Sequence, residues 1–166
     1  MGFLDRLLGA KTTHAEKMEI GDDWFKEICD AIGRHAESKR VDYGEQQHLE
    51  VVGESFYQEN LSRLAGGAPG EDAGWMSGFL APEPFNKYDP NALAVYVILE
   101  EGEKYDALKV GYLPKEMAAR TQNKVARKLA QEHKLIPLLI YIKGGTQDKP
   151  TYGVSATAKT DSINFY

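Results

Sequence analysis

The feature that most limits how this chain can fold is Glu83-Pro84-Phe85-Asn86-Lys87-Tyr88-Asp89-Pro90-Asn91-Ala92, which leads straight into Leu93-Ala94-Val95-Tyr96-Val97-Ile98-Leu99. The apolar run is short, rich in β-formers and bounded by turn chemistry, so it reads as a strand buried on both faces. In the polar knuckle before it, the two prolines each fix a local φ and disfavour helix. A knuckle of that kind holds Asn86, Tyr88, Asp89 and Asn91 in set directions at the mouth of the strand. One aromatic face, a carboxylate and two amides make a recognition device. The alternative is an Asx-type turn in which Asp89 and Asn91 bond only their own backbone.

The remaining elements read outward from that strand. His48–Ser55 carries Leu49, Val51 and Val52 and reads as a first strand leaving through Gly53, with Phe56 and Tyr57 adjacent just beyond it. On an extended chain such neighbours point to opposite faces, one inward and one outward. An outward ring is a stacking platform for a nucleobase or plain surface. Leu64–Gly74 is a loop by composition, and Trp75–Leu80 is the strand that delivers the chain to the knuckle. Glu100–Lys104 form a turn, and Ala107–Leu113 form an antiparallel partner strand.

Pro114 suits the first position of a helix running to about His133. On that helix Arg120, Lys124, Arg127 and Lys128 share a face, which is either a solvated cationic surface or a track for a phosphate backbone. Ile136–Ile142 and Tyr152–Ala158 are further strands joined through Lys143-Gly144-Gly145, and Ile163, Phe165 and Tyr166 suit a short edge strand. Toward the start, Asp22 or Asp23 caps a helix with Trp24, Phe25, Ile28 and Ile32 on one face. Met1–Leu8 is a short amphipathic fragment, read as a frayed terminus rather than a membrane contact. No βαβ rhythm appears. The expected class is α+β, mainly β with flanking helices: a small, partly open antiparallel β-barrel of OB-like type. Residues 1–47 are expected to be a helical extension and 48–166 the barrel domain.

Charge and composition bound the function. A chain of 166 residues with 42% hydrophobic and 27% charged side chains is of globular composition and fits one domain. The single cysteine, Cys29, allows neither an internal disulfide nor a cysteine-cluster zinc site. No apolar run approaches the roughly 20 residues of a membrane span, and nothing resembles a signal peptide, so the expectation is a soluble cytoplasmic protein with no membrane partner. The net charge of −5 argues against indiscriminate binding to nucleic acid, which rests on neutralising phosphates, but not against a small local basic site. Glu83, Asp89 and Lys115 were they a metal-dependent nuclease site would need an acidic pair beside a general base, and His14, His35, His48 and His133 stand far apart in sequence. No metal, no cofactor and no catalytic residue are expected.

Three blocks carry a family likeness. Val51-Val52-Gly53-Glu54, then the Glu83–Ala92 knuckle, then Val110-Gly111-Tyr112-Leu113-Pro114-Lys115-Glu116 resemble the signature blocks of the HIRAN domain, over roughly Leu49 to Ile142. That domain stands at the front of eukaryotic fork-remodelling helicases and occurs as free-standing bacterial proteins. The resemblance implies an OB-related barrel that grips the 3′ end of single-stranded DNA. It implies that Tyr88 stacks on a terminal base and that Asp89 accepts a hydrogen bond from the 3′-hydroxyl. Phe56 stands where a second stacking tyrosine is expected, and Lys115 where a lysine meets the backbone phosphate. Tyr112 replaces a histidine of the remodeller pattern, and Ser55 an arginine. The expected function is therefore a non-catalytic binder of single-stranded DNA ends, in repair or at stalled forks. The alternative is a protein-interaction barrel that uses the same surface for a peptide or protein partner.

Overall fold

The computed structural model describes residues 46–66, 75–83, 86–101, 104–132 and 135–159. The expected N-terminal helix, most of the glycine-rich loop and the C-terminal edge strand lie outside the described residues.

Six strands make one antiparallel sheet: β1 (Gln46–Leu49), β2 (Trp75–Pro82), β3 (Leu93–Glu101), β4 (Lys104–Tyr112), β5 (Ile136–Gly144) and β6 (Tyr152–Lys159). Their order across the sheet is β1-β6-β5-β2-β3-β4. The two edges approach each other. Just past β1, Val52 forms an antiparallel bridge with Tyr112 at the end of β4, through N–H···O bonds of 2.8 and 2.9 Å. One bridge does not make a full ladder, so the result is a partly open barrel of OB-like character.

Side-chain alternation explains the inside. Along β5, Ile136, Leu138, Ile140 and Ile142 are buried, while Pro137, Leu139 and Tyr141 are only partly so. They meet Leu80, Leu93, Val95, Val97, Val110 and Val154 in one apolar core. Pro137, which has no N–H, lies opposite Phe79 of β2, before the β6 ladder begins at Leu139. β3 is buried on both faces over Leu93–Val95 as its composition predicts, and Phe79 stacks on Tyr96 at 5.4 Å on the side away from the core.

Two helices close the gaps. Helix α1 (Gln58–Leu64) buries Leu61 and Leu64. The Gln58 side chain accepts the Tyr152 N–H at 2.8 Å and donates to the Tyr152 carbonyl at 3.0 Å, while Asn60 Nδ2 donates to the Lys109 carbonyl at 2.8 Å. The short helix therefore straps β6 to β4 across the opening. Helix α2 (Lys115–Glu132) starts at Pro114, whose carbonyl accepts the Ala118 N–H at 2.9 Å. It buries Met117, Ala118, Thr121 and Val125, and the Thr121 hydroxyl is satisfied by the Met117 carbonyl at 2.8 Å.

The sequence reading differs from the fold between β1 and β2. The first strand stops at Leu49, and only Val52 continues the pairing. Gly53, at φ 82°, turns the chain into a 3₁₀ turn (Glu54–Phe56) that runs on into α1. Phe56 and Tyr57 are therefore on tight turns and not on extended chain, although one still points outward and the other inward.

Candidate functional site

The knuckle is a closed loop held by its own polar groups. The Glu83 N–H donates to the Ala92 carbonyl at 2.9 Å, pinning both ends where β2 leaves and β3 begins. Inside the loop, Asn86 Oδ1 accepts the N–H groups of Tyr88 (2.9 Å) and Asp89 (3.2 Å). Asp89 Oδ1 in turn accepts the Asn91 N–H at 2.9 Å, an Asx turn. The local-turn reading therefore holds for Asp89 Oδ1, while Asp89 Oδ2 has no partner among the described residues. Tyr88 is held at its backbone while its ring is 79% exposed. The Lys87 ammonium lies over that ring, 4.8 Å from its centroid.

Beneath the knuckle is a polar cluster on the sheet face opposite the core. Residues 109 and 112 of a regular strand would face opposite sides. In β4 they do not, because the register slips: Val95 pairs with Gly111 but Tyr96 pairs with Lys109, leaving Val110 as a bulge. Lys109 and Tyr112 therefore both point to the Tyr96 side. There Lys109 Nζ donates to Glu83 Oε1, and lies 3.0 Å from the Tyr112 hydroxyl. The Tyr112 O–H donates to Glu83 Oε2 at 2.9 Å, and Asn86 Nδ2 donates to the same oxygen at 3.2 Å. Glu83 is 2% exposed, so its charge is stabilised by these groups and not by water.

The Lys109 ammonium also faces the rings of Tyr96 (5.7 Å) and Tyr112 (5.1 Å). Burial, then the Glu83 charge, pushes the Tyr96 phenol well above its usual range. For Tyr112 the causes are burial, then the hydrogen bond with Tyr57, then Glu83, and they push the same way. Both phenols are neutral donors at physiological pH.

The expected site residues stand in different relations to this cluster. Tyr112 is at its centre, and its hydroxyl is committed to Glu83, Lys109 and Tyr57, the last at 3.4 Å. Its ring, partly buried, faces the Lys109 ammonium. Phe56 is 86% exposed, on the turn that follows the Val52–Tyr112 bridge. Tyr88 and Asp89 are carried by the knuckle that Glu83 anchors. Lys115 is exposed in the first turn of α2, three residues beyond Tyr112, beside the N–H groups that a helix start leaves unpaired. Glu116 shares that turn. Arg120, Lys124 and Arg127 are exposed on α2, and Arg120 Nε turns back to the Glu116 carbonyl at 3.3 Å.

Sequence reading did not single out Lys109, nor Tyr57 as a partner of the Tyr112 hydroxyl or Lys87 as a cation over the Tyr88 ring. The glycine at 111, next to the bulge, was the one available signal for the first, since a bulge resets which side chains share a face.

The HIRAN domain model matches residues 45–136, more than half of the chain. No curated protein and no solved structure matches it. Among the described residues, no helix is long and apolar enough to cross a membrane, and no three His, Cys, Asp or Glu side chains gather as a metal site would require.

Proposed function

The chain belongs to the HIRAN domain family, and from that membership we propose that it is a non-catalytic module that binds single-stranded DNA and recognises its 3′-hydroxyl end. HIRAN domains are DNA-binding modules. The observation that carries the finer reading is a pair of rings: Phe56 and Tyr88 are 86% and 79% exposed, on two segments joined through Tyr112. Exposing an aromatic ring to water has no benefit to folding, whereas a nucleobase covers it at a gain of about 1–3 kcal/mol. Asp89 stands beside Tyr88 as acceptor for the terminal hydroxyl, and Lys115 with the start of α2 receives a phosphate. The setting would be cytoplasmic, in repair or in the processing of stalled forks.

The test compares linear and circularised single strands of one sequence, with magnesium present. The linear strand should bind uncut, and the circle should bind much less. Equal affinity for both would remove end recognition, and cleavage would remove the non-catalytic reading.

A second reading is a peptide or protein partner on the same surface. The net charge of −5 and Ser55, in place of a cationic side chain, favour it. Its test is the same titration: no binding to either strand would leave the protein partner.

A further inference from the structure

Glu83 is buried, charged, and absorbed by neither the core nor any expected DNA contact. Its partners explain why it is there. One oxygen takes Lys109; the other takes the Tyr112 O–H at 2.9 Å and Asn86 Nδ2 at 3.2 Å. A carboxylate only accepts, so it dictates which end of the Asn86 amide faces it. With Nδ2 directed at Glu83, Asn86 Oδ1 is left to accept the N–H groups of both Tyr88 and Asp89.

We propose that Glu83 is a positioning residue for end recognition: by fixing the Asn86 amide, it sets where the Tyr88 ring and the Asp89 carboxylate stand. Lys109, brought to this face by the bulge at Val110, balances the Glu83 charge. Turning the Asn86 amide over would aim Nδ2 at two N–H groups and release both. The inference rests on the end-binding reading for its purpose, but its geometry is tested without DNA.

Glu83→Gln is the informative variant, because it keeps the shape and replaces one acceptor by a donor. The Lys109 ammonium has no acceptor and keeps the remaining oxygen, so the new NH₂ takes the Oε2 side, where the Tyr112 hydroxyl can accept it but Asn86 Nδ2 cannot. The readout is amide hydrogen exchange followed by NMR. The Tyr88 and Asp89 amides should exchange at least about tenfold faster, while those of Val95 and Val97 in β3 keep their protection. In an Asn86→Ala background, where the link is already cut, Glu83→Gln should add nothing at the same two amides. Affinity for a 3′-OH strand should fall about tenfold in either single variant.

If Glu83→Gln does not fold, the wild-type protein still decides: the Asn86 side-chain NH₂ should exchange slowly, held by Glu83, and free-like exchange overturns the proposal. Unmoved Tyr88 and Asp89 amides, or a loss of protection shared with β3, would also overturn it. If the wild-type protein binds no strand, the end-binding reading falls, while the exchange data judge the positioning role separately.

Discussion

The Tyr112 hydroxyl donates to Glu83 at 2.9 Å, tying the last residue of β4 to the first residue of the knuckle. The two are 29 positions apart in sequence. Through this bond the end of the β3–β4 hairpin supports the loop that carries Tyr88 and Asp89. Removing the hydroxyl should therefore be felt in stability and in its pH dependence.

Tyr112→Phe should cost about 1 kcal/mol at neutral pH, the usual worth of one such hydrogen bond. The alkaline limb gives the second signature. Folding raises the Tyr112 pKa, so the folded chain holds its phenolic proton to higher pH than the unfolded one. That stabilisation is complete below about pH 10, the unfolded value, and declines as pH rises beyond it. Urea titrations between pH 7 and 11.5 should show a shallower decline in Tyr112→Phe, with Tyr96 supplying what remains. An identical decline in both proteins would mean that Tyr112 ionises as freely folded as unfolded.

Gly111→Ala tests the barrel closure. A Cβ there would meet Val51 Cγ1 at 2.6 Å and the Val52 carbonyl oxygen at 2.7 Å, both at the bridge that joins the sheet edges. The bridge must open or the bulge must shift, and overpacking of this kind costs about 1–3 kcal/mol. Since the turn bearing Phe56 begins immediately after Val52, strand binding should weaken as well. Chemical denaturation and an affinity measurement on the same sample check both. Wild-type stability would show that the bridge yields without strain.

Much of this architecture is legible in the sequence, and the reasons differ between elements. β2, β3, β5 and β6 announce themselves because apolar alternation and turn residues are local signals. Pro114 marks the start of α2 for an equally local reason. The site is legible only at the knuckle, where two prolines and an Asx turn fix the backbone without outside help. Helix α1 was hidden because Gln58–Leu64 is too short for a helical period to emerge, and because the positive φ of Gly53 redirects the chain. The Glu83–Lys109 pair was hidden because it spans 26 positions and depends on a bulge that shifts the register by one residue. Long-range partnerships of that kind leave no mark in a window of neighbouring residues.

Phe56 and Tyr88 are the two rings proposed to stack on bases. Phe56→Ala and Tyr88→Ala should each lower single-strand affinity by about 1–3 kcal/mol. Phe56→Tyr should bind like the wild type, because the π surface is kept. Both alanine variants should keep their melting temperature, since rings this exposed contribute little packing. An unchanged affinity in the double alanine variant would return the rings to ordinary surface.

Salt dependence separates the candidate cations. Lys87 lies over the Tyr88 ring, 4.8 Å from its centroid, so under the proposed reading it would meet a phosphate of the strand end. Replacing it by alanine should lower the slope of log K against log salt by about 0.7, one single-strand phosphate contact. Charge reversal of Arg120 and Lys124 should leave the slope unchanged if their face of α2 is merely solvated. A flattened slope in that second variant would make α2 part of the DNA track.

The hydroxyl at the 3′ end is the sharpest discriminator. Asp89 uses Oδ1 for the Asn91 N–H at 2.9 Å, and Oδ2 has no partner among the described residues. A carboxylate oxygen accepts hydrogen bonds and donates none, so it can take the proton of a 3′-OH. A 3′-phosphate in the same place would bring like charges within a few ångströms, a repulsion of about several kcal/mol at the effective dielectric of a protein surface. Strands ending in 3′-OH should therefore bind far better than the same strands ending in 3′-phosphate, and modification of the 5′ end should change little. Asp89→Asn should narrow the gap by removing the repulsion, since an amide can donate to a phosphate oxygen and still preserve the Asx turn. Lys115→Ala should weaken both ligands alike, because the phosphate it is proposed to meet is common to the two. Fluorescence titrations of the wild type and both variants against the two strands, six combinations, decide the matter. Equal binding of 3′-OH and 3′-phosphate strands to the wild-type protein would strip Asp89 of its role as end reader and move the protein-partner reading ahead.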